Sequence, residues 1–199
     1  MLNNTYCNLQ RQDLINIRPL IRIGRSKNEI KFDIIGISKV RRLGRKIEEY
    51  ENFILRYLDP TGVGFIINKS YKNYIESFTG ITERVAVLNI NIQGYMSTAT
   101  PTVSIIQVYA PTEAANKYEI DEFYKTIDKA LETTQKIIIL NDDFNAKVGV
   151  PKKEEHFAMK QYGYGHRNDR RQRLVDFALE HKLTILNTYF KKNQKSRWT

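Results

Sequence analysis

Short strand-like runs that follow one another without an intervening helix constrain the fold of this 199-residue chain more than any other feature. Runs rich in β-branched and aromatic residues occur at 33–37, 63–68, 84–92, 103–109, 137–140 and 184–188. Helical apolar periodicity is found only near 119–134 and 171–182. Strands that succeed each other directly argue against a repeated βαβ unit. The pattern predicts an α/β fold, a two-sheet and mostly antiparallel sandwich flanked by helices.

Composition narrows the class of protein. Hydrophobic residues make up 41% and charged residues 27%, an ordinary globular balance, and the length suits a single domain over residues 1–199. No apolar run approaches the roughly 20 residues needed to span a bilayer. The amino terminus has no basic segment followed by an apolar core, so we expect a nuclear or cytoplasmic protein that is not secreted. Cys7 is the only cysteine, which excludes an intrachain disulfide.

The charge of the chain is strongly positive. The formal net charge is +10 and the pI is about 9.6. A surplus of this size attracts polyanions, and nucleic acid is the commonest of them. Basic residues cluster at 41–46 and 167–173. DNA is therefore the predicted partner, and the alternative is a solvated basic surface that binds nothing.

The segment from Ile137 to Gly149 carries the strongest local signal for chemistry. An apolar strand ends in a polar cluster that includes Asp143 and Asn145. These two residues are two positions apart, so an extended backbone points both side chains to one side. A carboxylate and an amide suit a Mg²⁺-assisted reaction on a phosphate, in which the carboxylate orients water or holds the metal. The alternative is a capping turn after a strand.

The string DFNAKVG at 143–149 resembles a motif of the endonuclease/exonuclease/phosphatase superfamily. The form is that of non-LTR retrotransposon endonucleases and of the craniofacial-development-protein-2-like branch. Further strings resemble the same branch in the same order: INIRPL (15–20), DIIGISKVRR (33–42), GVGFIIN (62–68), VYAPT (108–112), RNDRRQRLVDFALEHKLTILNTYF (167–190) and RWT (197–199). Each string is weak, but six or more in order make a specific signal over nearly the whole chain.

The resemblance implies four catalytic positions. Asn16 matches an asparagine beside the scissile phosphate, and Tyr109 matches a tyrosine whose hydroxyl faces it. Asp143 matches the carboxylate that activates water, and Asn145 the amide that stabilises developing charge. Asp143 and Asn145 would also hold the Mg²⁺ of an active enzyme. Asn16 as a strand-end cap and Tyr109 as a core aromatic with a hydrated hydroxyl remain alternatives.

The sequence signals for substrate-binding residues are less specific than those for the catalytic positions. Asn168 matches a polar position on the site side, with a simple turn residue as the alternative. Arg41 and Arg42 are predicted to contact the substrate through their charge.

The chain departs from the family pattern inside the motifs. Lys39 stands where the family has a metal-binding glutamate, and an ammonium cannot ligate Mg²⁺. Asp142 replaces the glycine before the catalytic aspartate, which hinders a close backbone approach. If the chain folds as its relatives do, Lys39 is expected close to Asp143 and Asn145.

Two further departures concern length. The region 20–31 is shorter than the family's first helix would need. The chain also ends at Thr199, before the family's Asp-His pair, which predicts an incomplete, C-terminally truncated domain. None of the three histidines matches that pair, and all three are predicted to be surface or loop residues: His156, His166 and His181.

These observations predict a truncated, catalytically impaired Mg²⁺-dependent DNA endonuclease domain derived from a non-LTR retrotransposon. The alternative is a non-enzymatic nucleic-acid-binding relic of that domain. A phosphatase acting on a small phosphorylated substrate is a third hypothesis, which the basic surplus disfavours. A reverse transcriptase domain in a full-length element would be a possible partner.

Overall fold

The computed structural model describes residues 32–40, 46–57, 62–92, 102–112, 114–135, 137–144 and 147–191. The chain forms two compact units, residues 1–144 and 145–199. The first unit contains strands β1 (Ile34–Ile37), β2 (Lys46–Glu49), β3 (Phe53–Tyr57), β4 (Gly64–Asn68), β5 (Ile75–Thr82), β6 (Val85–Asn91), β7 (Thr102–Tyr109) and β8 (Ile137–Asp143), with helix α1 (Lys117–Glu132). A 3-10 helix, Lys69–Tyr74, joins β4 to β5. The second unit contains helix α2 (Asp169–Glu180) and 3-10 helices at Glu155–Phe157 and Leu186–Thr188.

The strands of the first unit form two four-stranded sheets. One has the order β1-β4-β3-β2 and the other β5-β6-β7-β8. Every pair is antiparallel except β7–β8. A parallel pair needs a crossover connection, and α1 lies in the segment that joins these two strands.

The two sheets share one apolar core. The core combines residues of both sheets with Val63, which directly precedes β4. The first sheet contributes Ile54, Phe65 and Ile67, and the second contributes Phe78, Ala86, Leu88 and Ile90. The rings of Phe65 and Phe78 meet edge to face, with centroids 6.0 Å apart. Because residues from both sheets contribute to one buried cluster, the predicted α/β sandwich is confirmed.

Helix α1 flanks the second sheet by packing against β5 and β6. Its buried residues recur at the helical period: Phe123, Tyr124, Ile127 and Ala130. The side chain of Asn116 caps the first turn by accepting from the Glu119 amide at 2.9 Å. The helix predicted near 119–134 is therefore present and begins two residues earlier.

The strand predicted at 184–188 is wrong. Residues Leu186–Thr188 form a 3-10 helix, and Ile185 donates its amide to the Ala158 carbonyl at 2.7 Å. The Thr188 hydroxyl donates to the Ile185 carbonyl at 2.7 Å and accepts from the Lys160 amide at 2.8 Å. These bonds hold the segment against the loop at 158–162 in place of a sheet ladder.

The second unit is organised around Arg167, which was predicted to lie in a basic cluster facing DNA. Its Nη1 pairs with Glu155 Oε1 at 2.5 Å, and only 10% of the arginine side chain is exposed. Its Nε and Nη2 donate to the Val148 and Val150 carbonyls at 2.6 and 2.9 Å. The largely buried Arg167 side chain therefore binds acceptors within its own unit, which corrects its assignment to a DNA-facing surface.

Within the described ranges, none of the helices is long and apolar enough to cross a membrane.

Candidate functional site

The carboxyl ends of β7 and β8 lie side by side because the two strands run parallel. Their register pairs Gln107 with Asn141 and Tyr109 with Asp143. Alternation along a strand places positions 107 and 109 on one face of β7, and positions 141 and 143 on one face of β8. On these faces, polar residues therefore replace apolar ones at the last two positions of each strand. The predicted strand at 137–140 continues to Asp143, so the aspartate belongs to the strand itself.

A hydrogen-bonded amide pair lies two residues before the strand ends. Asn141 Nδ2 donates to Gln107 Oε1 at 2.8 Å, and Gln107 Nε2 donates to the Val108 carbonyl at 3.0 Å. Only 3% of Gln107 is exposed. These bonds satisfy a polar group that would otherwise be costly to bury, and they tie β7 to β8 beside Tyr109 and Asp143.

Gly36 of β1 faces the amide pair from the other sheet. A Cβ atom at this position would lie 1.6 Å from Gln107 Oε1 and 2.3 Å from Asn141 Nδ2. Any larger residue would displace these amides, so the close approach of β1 requires glycine. This approach brings the residues that follow β1 to the end of β7.

Lys39 follows β1 and lies over the ring of Tyr109. Its backbone is left-handed, with φ of 61°, and the next residue, Val40, donates its amide to the Gly62 carbonyl at 2.9 Å. The exposed Lys39 places Nζ 5.2 Å from the Tyr109 ring centroid. Tyr109 is the register partner of Asp143, so the Lys39 ammonium lies near the end of β7. Its nearness to the side chains of Asp143 and Asn145 stays a prediction.

A second cation, Arg84, contacts the same tyrosine from the β5–β6 turn. Its guanidinium carbon lies 5.3 Å from the Tyr109 ring centroid, and Nη1 donates to the Tyr109 carbonyl at 3.3 Å. The Tyr109 amide donates to the Arg84 carbonyl at 2.9 Å. Sequence reasoning missed Arg84, because only the pairing of Val85 with Val108 places it beside Tyr109.

Several predicted site residues lie outside the described part of the chain: Asn16, Arg41, Arg42 and Asn145. Their roles stay predictions. Asp143 is placed by its backbone alone, as the last residue of β8.

Asn168 precedes α2 in the second unit. Its side chain accepts from the Arg171 amide at 3.1 Å, which makes it the N-cap of that helix. This contact gives Asn168 a structural role, and its role towards a substrate stays a prediction.

The described residues contain no group of three or more His, Cys, Asp or Glu residues arranged to hold a metal ion, and Mg²⁺ binding by Asp143 and Asn145 stays a prediction. At the strand end, Lys39 presents an ammonium, whereas Mg²⁺ requires oxygen ligands. What the described groups offer there is a tyrosine with two neighbouring cations, an arrangement suited to an anion.

Comparison with known proteins found no protein-family model that matches the chain. The chain is similar to craniofacial development protein 2 of Bos taurus, with 32% identity over 85% of this chain and 28% of that protein. It is 31% identical to craniofacial development protein 2 of Tragulus javanicus, over 86% of this chain and 30% of that protein. The chain thus spans less than a third of the length of these relatives.

Among solved structures, the endonuclease domain of TRAS1, a telomere-specific non-LTR retrotransposon, aligns with a TM-score of 0.49 and 14% identity. The alignment covers 88% of this chain and 68% of that one. The sequence matches extend over most of the chain, and they confirm the predicted resemblance to the craniofacial-development-protein-2-like branch.

Proposed function

We propose that this chain is a DNA-binding domain of the non-LTR retrotransposon endonuclease type, in which Lys39 has impaired Mg²⁺-dependent hydrolysis. The observation that carries the proposal is the position of Lys39 Nζ, 5.2 Å from the ring of Tyr109, at the strand end shared with Asp143. The motif resemblance assigns Tyr109 and Asp143 to the phosphate and the attacking water. Lys39 brings positive charge to the place where the family pattern has a metal-binding carboxylate.

The charge of Lys39 opposes metal binding. Exchanging a carboxylate for an ammonium changes the local charge by two units. Two unit charges about 4 Å apart interact by roughly 4 kcal/mol at an effective dielectric near 20, and Mg²⁺ carries two charges. We therefore expect Mg²⁺ affinity to be lower by orders of magnitude than with a glutamate at position 39.

The same charge favours a phosphate. An ammonium beside the Tyr109 ring neutralises a phosphate oxygen directly, as a tethered cation in place of the metal. The net charge of +10 supports binding to a polyanion as long as DNA, with an affinity that falls steeply as salt rises. The non-enzymatic alternative is a relic that only binds nucleic acid. It corresponds to this proposal with hydrolysis lost completely.

Nicking of supercoiled plasmid with and without Mg²⁺ tests the catalytic part, and binding to a labelled duplex at several salt concentrations tests the DNA part. We expect duplex binding at low salt and no Mg²⁺-dependent nicking. Robust nicking by the unmodified chain, abolished by Asp143→Ala, would show that the role given to Lys39 is wrong. Absence of binding at low salt, or affinity that does not change with salt, would refute the DNA-binding role.

Direct titration with Mg²⁺ isolates the effect of Lys39. Lys39→Glu should gain measurable Mg²⁺ binding, and Asp143→Asn in the same background should remove it. Lys39→Met is the matched control, because it removes the charge without adding a ligand. Equal Mg²⁺ affinity in Lys39→Glu and Lys39→Met would contradict the assignment of position 39 to the metal site.

A further inference from the structure

We infer that Arg84 is a phosphate-binding residue, and that Arg84 and Lys39 together hold one backbone phosphate of DNA beside Tyr109. The inference rests on the proposed DNA binding. It adds a second phosphate-binding residue and the expectation that both residues bind the same phosphate. Both cationic groups lie about equally far from one ring centroid, 5.2 Å for Lys39 Nζ and 5.3 Å for the Arg84 guanidinium carbon. Arg84 is tied to the Tyr109 backbone, whereas the Lys39 side chain is exposed and can turn towards an anion bound at Arg84.

Arg84 is held in place by its backbone. Its carbonyl accepts from the Tyr109 amide at 2.9 Å, and its own amide donates to Thr82 Oγ1 at 3.3 Å. Its Nη1 reaches the Tyr109 carbonyl at 3.3 Å, which fixes the guanidinium next to the tyrosine. Since the side chain is already oriented, binding an anion there costs little rotamer entropy.

The guanidinium of Arg84 keeps donors for a ligand. An arginine has five N–H donors, and the contacts described for Arg84 use one of them, to the Tyr109 carbonyl. The Glu83 carboxylate is 3.9 Å from Nε and largely exposed, so this ion pair is weak. With 38% of the side chain exposed, the planar fork can approach a phosphate with two parallel hydrogen bonds.

Arg167 shows what a purely structural arginine looks like in the same chain. Its Nε, Nη1 and Nη2 all donate to protein acceptors, and its side chain is 10% exposed. Arg84 makes fewer internal contacts and is more exposed. The contrast favours a ligand-binding role for Arg84 over bracing of Tyr109 alone.

The salt dependence of duplex binding tests the inference. Each neutralised phosphate contributes about 0.9 to the slope of log affinity against log salt. If one phosphate is shared, Arg84→Gln and Lys39→Gln should each reduce the slope by less than about 0.9, and the double variant by about 0.9. A loss of about 1.8 in the double variant would mean two separate phosphates and would overturn the shared site.

Two variants separate charge from folding. Arg84→Lys keeps the charge without the fork, so it should retain most of the slope and bind more weakly. Lys125→Gln removes the same charge from an exposed pair with Glu122 on α1 and should leave the slope unchanged. The role of Arg84 would be overturned if Arg84→Gln had the same salt slope as the unmodified chain. It would also be overturned if Arg84→Lys reduced the slope as much as Arg84→Gln does. Failure of the unmodified chain to bind duplex would instead refute the proposed function.

Discussion

The side-chain amides of Gln107 and Asn141 are joined by a 2.8 Å hydrogen bond, two residues before the paired strand ends at Tyr109 and Asp143. The pair is polar, yet Gln107 is buried between the sheets. Gly36 is the residue that leaves room for it. The spacing of the two sheets at the candidate site therefore depends on three residues that do not themselves face a substrate.

Gly36→Ala should destabilise the chain by about 1–3 kcal/mol, the usual cost of overpacking. The new methyl would overlap Gln107 Oε1, and moving that amide breaks its bond to Asn141. Urea denaturation measures the change. In a Gln107→Ala background the closest overlap is removed and only the one with Asn141 Nδ2 remains, so the cost should fall, giving a coupling of about 0.5–3 kcal/mol. An equal cost in both backgrounds would contradict the packing argument.

The N-cap role of Asn168 gives a second prediction. Asn168→Ala should lower the free energy of unfolding by about 1 kcal/mol, whereas Asn168→Ser should cost little because serine also caps. Duplex affinity should stay unchanged in both variants. Asn116→Ala, which removes the corresponding cap of α1, is the matched control. If Asn168→Ala lost duplex affinity without losing stability, the substrate-binding role implied by the family resemblance would be the better one.

The sequence predicted those strands and helices whose own residues show a clear apolar run or a helical period. The apolar runs in β1, β4, β6, β7 and β8 and the periodic faces of both helices were found from local patterns. Strands β2, β3 and β5 were not. β2 reads KIEE and has a largely polar surface, and β5 contains glycine and register shifts against β6. Such strands are stabilised by their partners, and pairing between distant segments leaves little trace in the sequence.

The same limit applies to the site. Lys39, Tyr109 and Asp143 could be predicted as candidates because each stands in a recognisable motif. Arg84 and the amide pair of Gln107 and Asn141 depend on the register of β7 with β6 and with β8. No local pattern reveals that register. The strand predicted at 184–188 failed for the opposite reason, since the Thr188 hydroxyl supplies local hydrogen bonds that compete with a ladder.

Thr188→Val should cost about 1–3 kcal/mol of stability, because it leaves the Lys160 amide without its acceptor, the buried Thr188 hydroxyl. Only 1% of Thr188 is exposed, so water cannot replace the lost bond without rearrangement. Thr188→Ser keeps the hydroxyl and should recover much of the loss. Thermal unfolding of both variants compares them directly. Destabilisation by serine with little change by valine would mean that packing of the methyl group, not the hydrogen bonds, sets the cost.

The ion pair of Glu155 with Arg167 should make stability depend on pH. Burial alone would raise the pKa of Glu155. Hydrogen bonds from the Arg167 side chain, the Lys152 amide and Gln172, together with the charge of Arg167, outweigh burial and hold the pKa below its ordinary 4.5. A depressed pKa in the folded state stabilises the fold above the unfolded pKa. That contribution is lost as the pH falls through the folded value.

Glu155→Gln should therefore destabilise the chain by about 3 kcal/mol at neutral pH, the lower end of the range for breaking a buried pair. Arg167 keeps its bonds to the Val148 and Val150 carbonyls, which argues for the lower end. The difference between variant and unmodified chain should shrink as the pH falls below 4.5, because the unmodified carboxylate becomes protonated. Denaturant unfolding at a series of pH values measures this convergence. Glu122→Gln breaks an exposed pair with Lys125 and should change the stability much less than Glu155→Gln. If the Glu155→Gln difference stayed constant from neutral to acid pH, the ionised pair would not be the source of the stability.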